Sequence, residues 1–187
     1  MQFTASILEA ELENMIQYLV CRRFFTLSVF SLILLALSSS CTRLPNIQGK
    51  GELFLQGVWN QDSIANSSRL LTYTQHRFKI SCDSFYVDLT TFSKANYYAD
   101  SCFNNGIWKE HAKGTYLVKG DTLVLTGTFT KDNYKQKVTG CYRTGRYLSN
   151  YKIKSFGENS LLLENLIDER ECALVLKQQI RCVPKEL

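Results

Sequence analysis

Histidine is scarce in this sequence, with only two among 187 residues, at His76 and His111. No two cysteines have the C-x-x-C spacing, and no histidine lies at zinc-finger spacing from a cysteine pair, so a zinc site is not predicted. The G-x-S-x-G turn of serine hydrolases is also absent. Both histidines have polar neighbours and are predicted on the solvated faces of strands. We therefore assign no catalytic residue, no metal and no cofactor, and do not expect an enzyme.

Long hydrophobic runs are also lacking, apart from one apolar run at residues 24–37. Spanning a bilayer needs about 20 such residues, and this run is shorter. Arg22 and Arg23 precede it and three serines follow it. This order predicts a secretory signal peptide over residues 1–40. Acidic residues are unusual ahead of a signal peptide, and Glu9, Glu11 and Glu13 lie there. Met15 is therefore a candidate for the true start, and the alternative is an unusually long n-region.

Cys41 directly follows the three serines, and the segment resembles a lipobox, the site at which a cysteine is lipid-modified. Ser38 holds the place where the lipobox pattern prefers leucine. The alternative is an ordinary signal peptide that a cysteine happens to follow. The resemblance implies an acyl anchor on Cys41, and two or more acyl chains hold a protein stably on a membrane. Thr42 instead of aspartate after that cysteine favours an outer-membrane lipoprotein that faces the periplasm. Residues 41–53 would form the lipidated cysteine and a flexible tether.

The five remaining cysteines would meet an oxidising compartment, where cysteines tend to pair. Five is an odd number, so at least one thiol stays free or pairs between molecules. Cys102 and Cys141 both lie in loop-like sequence and are the preferred disulfide. Cys172 and Cys182 are the next candidate pair. Cys82 falls in phase with two apolar residues of its segment and is predicted to be an unpaired core thiol.

Proline is as rare as histidine, while short alternating runs rich in Thr, Val, Tyr and Phe recur from residue 54 onward. Both features are typical of strands. The clearest hairpin joins residues 115–118 to residues 122–126 through a turn at Gly120. About eight strands are predicted over residues 54–187. We therefore expect a single all-β domain, a small antiparallel barrel or sandwich, because closure removes exposed strand edges.

Two short motifs carry a resemblance to a known class of fold. Residues 55–59 (LQGVW) resemble the G-x-W opening of lipocalin-like domains, and residues 120–125 (GDTLVL) resemble a hairpin common in lipocalin-like bacterial lipoproteins. The resemblance implies a lipocalin-like barrel in which Trp59 plugs one end.

The whole mature chain also resembles a group of small lipoproteins from Gram-negative bacteria, through residues 100–106 (DSCFNNG) and 133–137 (NYKQK). Some members carry a fumarate hydratase name. The residues do not support that activity, because the G-S-x-x-M loop of the large fumarases needs a methionine and none follows Met15.

Positive charge is concentrated in residues 131–154, which contain seven basic residues and one acidic residue. Export argues against nucleic acid as the partner. The candidate residues for binding an anionic envelope polymer or membrane surface are Lys135, Lys137, Arg143, Arg146 and Tyr142. The alternative is a solvated segment whose charge serves solubility.

The barrel interior is the second candidate site. A small closed barrel either fills with side chains or holds one small ligand. The candidate interior residues are Trp59, Phe78, Phe85, Tyr116, Phe129 and Leu163, and Gly114 and Gly127 are small residues that hint at space.

The function expected from the sequence is that of a membrane-anchored envelope protein that binds a hydrophobic or anionic ligand or a partner protein. A structural envelope component without a small ligand is the alternative, and a lyase or hydrolase is third. The sequence does not indicate an oligomeric state.

Overall fold

The computed structural model describes residues 22–23 and 47–186. Arg22 and Arg23 lie in helical conformation. The rest of the predicted signal peptide, the proposed lipid site Cys41 and the first part of the tether fall outside the described residues. Within the described part of the chain, no helix has the length and apolar character needed to cross a membrane.

Residues 57–179 contain eight antiparallel strands that close into one barrel. Each strand pairs with the next one along the chain, and the last pairs with the first. The strands are β1 (Gly57–Asn60), β2 (Thr72–Ser81), β3 (Ser84–Ser93), β4 (Ile107–Lys119), β5 (Thr122–Thr130), β6 (Arg146–Phe156), β7 (Ser160–Asn165) and β8 (Glu171–Gln179). The predicted all-β fold of about eight strands is confirmed. It is a barrel rather than a sandwich, in the up-and-down order that lipocalins also have.

Alternation of side chains explains why these segments become barrel strands. In β3, Phe85, Val87 and Leu89 are buried, and the residues between them are half-buried. Successive side chains of a strand point to opposite faces, so a period of two places one apolar set inside the barrel. The same period places Phe78 of β2 and Ala112 of β4 inside the barrel.

The two ends of the barrel differ in their connections. Tight turns at Cys82–Asp83, Gly120–Asp121 and residues 157–159 lie at one end, which we name the closed end. Gly120 has φ +63°, a left-handed conformation that glycine adopts without steric cost. The other end, the open end, carries the longer loops of residues 61–71, 94–106 and 131–145 and the turn at residues 166–170. A short helix, α1 (Asp100–Phe103), lies in the second of these loops.

A packed aromatic and aliphatic core fills the closed half of the barrel. Trp59 is 2% exposed, and its indole N–H donates to the carbonyl of Leu55 over 2.9 Å. The predicted interior residues are all buried, and Phe129 alone among them lines the open half of the barrel: Trp59, Phe78, Phe85, Tyr116, Phe129 and Leu163. Gly114 and Gly127 face each other across β4 and β5, where a Cβ on either would lie about 2 Å from a backbone oxygen. These glycines permit close strand approach and do not line the cavity described below.

The segment that precedes β1 lies against the closed end from Ile47 onward. Ile47 forms an isolated bridge with Glu186, and the backbone N–H of Glu52 donates to the hydroxyl of Tyr116. The buried Gln56 amide accepts from the N–H of Cys82 and donates to the carbonyl of the same residue. Residues 47–53, predicted as tether, therefore contact the barrel.

Two disulfides form within residues 47–186, at opposite ends of the barrel. The predicted Cys102–Cys141 bond is confirmed, with the two Cα atoms 5.6 Å apart. The predicted Cys172–Cys182 pair is wrong, because Cys182 bonds to Cys82 and Cys172 is a buried free thiol.

The error at Cys82 has a local cause. Cys82 was placed on the inward face of a strand, but it lies in the β2–β3 turn with φ +55°. The backbone reverses there, so the thiol faces the C-terminal segment that crosses the closed end. Cys172 instead lies at the start of β8, on its inward face, at the open end of the barrel.

Candidate ligand cavity

A cavity of about 750 Å³ opens at the end of the barrel opposite the packed core. Leu89, Phe129 and Tyr147 supply much of its apolar wall. Arg146, the first residue of β6, and Arg170 of the β7–β8 turn lie at its mouth. The interior is therefore divided, with a filled closed half and a hollow open half of a size that suits one small ligand.

His76 lies in the middle of β2 and lines the cavity, in phase with the buried Phe78 and Ile80. Its prediction as a solvated residue is therefore wrong, and that phase is the signal that would have placed it inside. The imidazole stacks on Phe78 with ring centroids 5.8 Å apart. Burial, with a smaller contribution from the charge of Arg143, lowers the pKa of His76 to about 4. The ring is therefore neutral at physiological pH.

Tyrosine hydroxyls share this interior. Tyr147 and Tyr151 are inward-facing residues of β6, with the buried Ser149 between them. Burial raises the pKa of both phenols, well above the ordinary value in the case of Tyr151, so both keep their protons. Sequence reasoning missed these residues because it treated residues 131–154 as one basic segment. The alternation of Tyr147 and Tyr151 with charged neighbours is the strand signal that indicates an inner wall.

The free thiol of Cys172 also lines the cavity. Burial raises the pKa of Cys172 to about 12. The thiolate is the reactive form of cysteine, so this group behaves as a small apolar wall residue and not as a nucleophile.

An ion pair fastens one loop to the barrel beside the mouth. The Arg143 guanidinium donates from Nε to Oε1 of Glu110 over 2.9 Å and from Nη2 to Oε2 over 2.8 Å. The backbone N–H of Arg143 adds a third bond to Oε1 at 3.0 Å. Burial opposes ionisation of Glu110, but the hydrogen bonds and charge of Arg143 hold the pKa of that carboxyl below its ordinary value. The Glu110 side chain is 2% exposed, and Arg143 is the cation that balances its charge.

The other predicted anion-binding residues differ in their availability. The Lys137 ammonium donates to the carbonyl of Cys141 and lies 5.5 Å from the ring centroid of Tyr142. Lys135 and Arg146 are exposed, and neither has a carboxylate within 4.0 Å in the described part of the chain. Of the predicted anion-binding residues, the structure brings only Arg143 and Arg146 to the cavity, and Arg143 is paired with Glu110.

The same loop is tied to its neighbour by a disulfide and by aromatic packing. Cys102–Cys141 joins the β3–β4 loop to the β5–β6 loop. Tyr142 stacks on Trp108 with centroids 5.5 Å apart, and its hydroxyl donates to the Cys102 carbonyl. Tyr98 packs edge-on against both rings. This cluster fixes two of the four open-end connections to each other.

The second histidine lies on the outer wall of the barrel. His111 Nδ1 is 2.8 Å from Oδ1 of Asp88, which also accepts from the Tyr134 hydroxyl, while Oδ2 accepts from Arg77 at 2.9 Å. Burial acts to raise the pKa of Asp88, but these donors together lower it. The histidine–carboxylate pair thus lies outside, while the cavity contains a histidine hydrogen-bonded to an amide.

No group of three or more His, Cys, Asp or Glu side chains suited to a metal ion occurs within the described residues. Comparisons with protein-family models, with curated proteins and with solved structures find no match to this chain.

Proposed function

We propose that this protein is a lipid-anchored binding protein of the cell envelope whose barrel holds one small, mainly apolar ligand at its open end. The observation that carries the proposal is the cavity of about 750 Å³ in the open half of the barrel. An eight-stranded barrel filled along its whole length would leave no such space. Leu89, Phe129 and Tyr147 would contact the ligand, and the packed core around Trp59 would close the far end.

The envelope location is carried by the sequence and supported by the cysteines. Two disulfides, Cys82–Cys182 and Cys102–Cys141, are typical of proteins in an oxidising compartment. The signal-like residues 1–40 and the lipobox-like cysteine at position 41 account for export and for attachment. We propose an outer-membrane lipoprotein that faces the periplasm.

An anionic ligand has weaker support than an apolar one. Of the basic residues predicted to form a patch, Arg143 pairs with Glu110 and Lys137 binds a loop carbonyl. Arg146 remains at the mouth, where it could contact the charged or polar end of an apolar ligand.

Cavity binding is tested by filling the cavity from one strand. Ser149 faces inward and its neighbour Asn150 faces outward, so Ser149→Phe and Asn150→Phe are matched variants on opposite faces of β6. Native mass spectrometry of protein purified from its own membrane would report bound ligand. We expect an adduct in the parent and in Asn150→Phe, and its loss in Ser149→Phe. No adduct in any form, together with no uptake of an apolar fluorescent probe, would favour a structural role.

Anchoring is tested by Cys41→Ser, which removes the proposed acyl acceptor. We expect the variant to leave the membrane fraction while the parent stays. A variant that still sediments with membranes in high salt would contradict attachment through this residue.

A further inference from the structure

We propose that the ligand carries a neutral hydroxyl that donates a hydrogen bond to Nε2 of His76 inside the cavity. This inference rests on the proposed ligand-binding function and specifies the chemistry of that ligand. The ligand class is an apolar alcohol or phenol.

The tautomer of His76 follows from its partner. Oε1 of Gln61 accepts from the backbone N–H of His76 at 3.2 Å, and the same atom is 2.9 Å from Nδ1 of the ring. A backbone N–H can only donate, so the Gln61 atom is an oxygen and accepts both bonds. Nδ1 must then carry the proton, because a neutral imidazole has one donor and one acceptor nitrogen. Nε2 is left as a bare acceptor.

That acceptor has no partner among residues 47–186. The only side-chain hydrogen bond of His76 in this part of the chain is the one to Gln61, and the ring lines the cavity between Phe78 and Tyr151. An empty cavity lets water satisfy Nε2. A ligand that expels this water without supplying a donor leaves a buried acceptor unpaired, which is unfavourable. A ligand with a hydroxyl at the right place restores the bond.

The environment of Nε2 favours an uncharged hydrogen-bond donor on the ligand. A carboxylate beside His76 would place its own lone pairs against the lone pair of Nε2, and two acceptors form no hydrogen bond. An ammonium would have to shed its water in a mainly apolar interior. A hydroxyl meets neither obstacle. Sites built to pair with a substrate hydroxyl discriminate strongly against analogues that lack it.

The test compares two probes that differ in one hydrogen-bond donor, 2-naphthol and 2-methoxynaphthalene. Titration of the intact folded protein at neutral pH should give about tenfold tighter binding of the naphthol. His76→Leu should remove that preference and keep binding of the methoxy compound. His111→Leu is the matched control, because His111 lies on the outer wall, and it should keep the preference.

The outcomes separate this inference from the proposed function. Equal affinity of the parent for the two probes would overturn the hydroxyl inference and leave apolar cavity binding in place. Failure of both probes to bind would overturn cavity binding itself. A preference that survives in His76→Leu would assign the acceptor to another residue and refute the proposal.

A spectroscopic measurement avoids the risk that the His76 variant fails to fold. The chain has only two histidines, so ¹⁵N-labelled imidazole signals are readily assigned by the His111 variant. The Nε2 resonance of His76 should lie upfield with naphthol bound relative to its position with methoxynaphthalene bound, because an unprotonated nitrogen that accepts a hydrogen bond is more shielded than one without a donor. The same Nε2 position in the two complexes would refute the contact.

Discussion

Removal of the Arg143 guanidinium tests whether the loop at the mouth is fastened by a buried charge. Arg143→Gln leaves the Glu110 carboxylate with the residue-143 backbone N–H and the Trp108 indole N–H, which lies 3.4 Å away. Breaking a buried pair by removing one partner typically costs 3–5 kcal/mol. Because two donors remain, we expect about 3 kcal/mol less free energy of unfolding at pH 7. Chemical unfolding in urea would measure it.

The two partners of the ion pair differ in exposure, so the two single variants should differ in their cost to the free energy of unfolding. The Arg143 side chain is 50% exposed and that of Glu110 is 2% exposed. Glu110→Gln therefore leaves a cation that water can solvate, and should cost about 1 kcal/mol. The double variant should be more stable than Arg143→Gln alone. Arg146→Gln is the control, since an exposed rim arginine without an ion pair should change stability by less than about 0.5 kcal/mol.

The pH dependence has a definite sign. In the parent, the lowered pKa of Glu110 means that its contribution is present above the unfolded pKa and is lost as pH falls through the folded one. In Arg143→Gln the carboxylate is unpaired and its pKa rises, so the penalty is present at pH 7 and shrinks as pH falls. A cost for Arg143→Gln that is equal at pH 7 and pH 5, or smaller than that of Glu110→Gln, would refute the buried-charge reasoning.

Three further predictions concern the core, the cavity and the loops. Trp59→Ala should lower the free energy of unfolding by about 3–5 kcal/mol, as a large aromatic lost from a core does, and far-UV circular dichroism should show a lower midpoint; an unchanged midpoint would mean that Trp59 does not pack as described. Because the pKa of His76 is lowered to about 4, the folded protein should lose about 2–3 kcal/mol of unfolding free energy as pH falls from about 6.5 to about 4. His76→Gln should remove this pH dependence from urea unfolding, and His111→Gln should keep it. Replacing both Cys102 and Cys141 by Ser opens a loop of 39 residues and should cost about 4 kcal/mol by chain entropy; equal stability of the parent with and without reductant would argue against it.

The fold was largely predictable because its signals are local. Turn residues around Gly120 and alternation in β2 and β3 each depend on a few neighbouring residues, and the closure of eight strands follows from the need to cover edges. The burial of Trp59 followed from a motif of three residues. The Cys102–Cys141 bond was predicted from loop-like sequence, which places cysteines where two connections can meet.

The candidate site was much less predictable, since it depends on distances between segments far apart in sequence. In the sequence, Arg143 cannot be told from a solvated arginine, because its partner Glu110 lies on a different strand. Cys82 pairs with Cys182 because the C-terminal segment crosses the closed end, which the sequence does not indicate. His76 was misplaced for a local reason, because its polar neighbours outweighed its strand phase.

The sequence by itself determined strands and turns, because these depend on periodicity and composition over about ten residues. Only the tertiary structure decided which half of the barrel is filled, which cysteines pair and which charges are neutralised. The physical reason is that packing, disulfide geometry and desolvation act through space. Phe129, Tyr147 and His76 come from three different strands, and only barrel closure brings them to the same cavity.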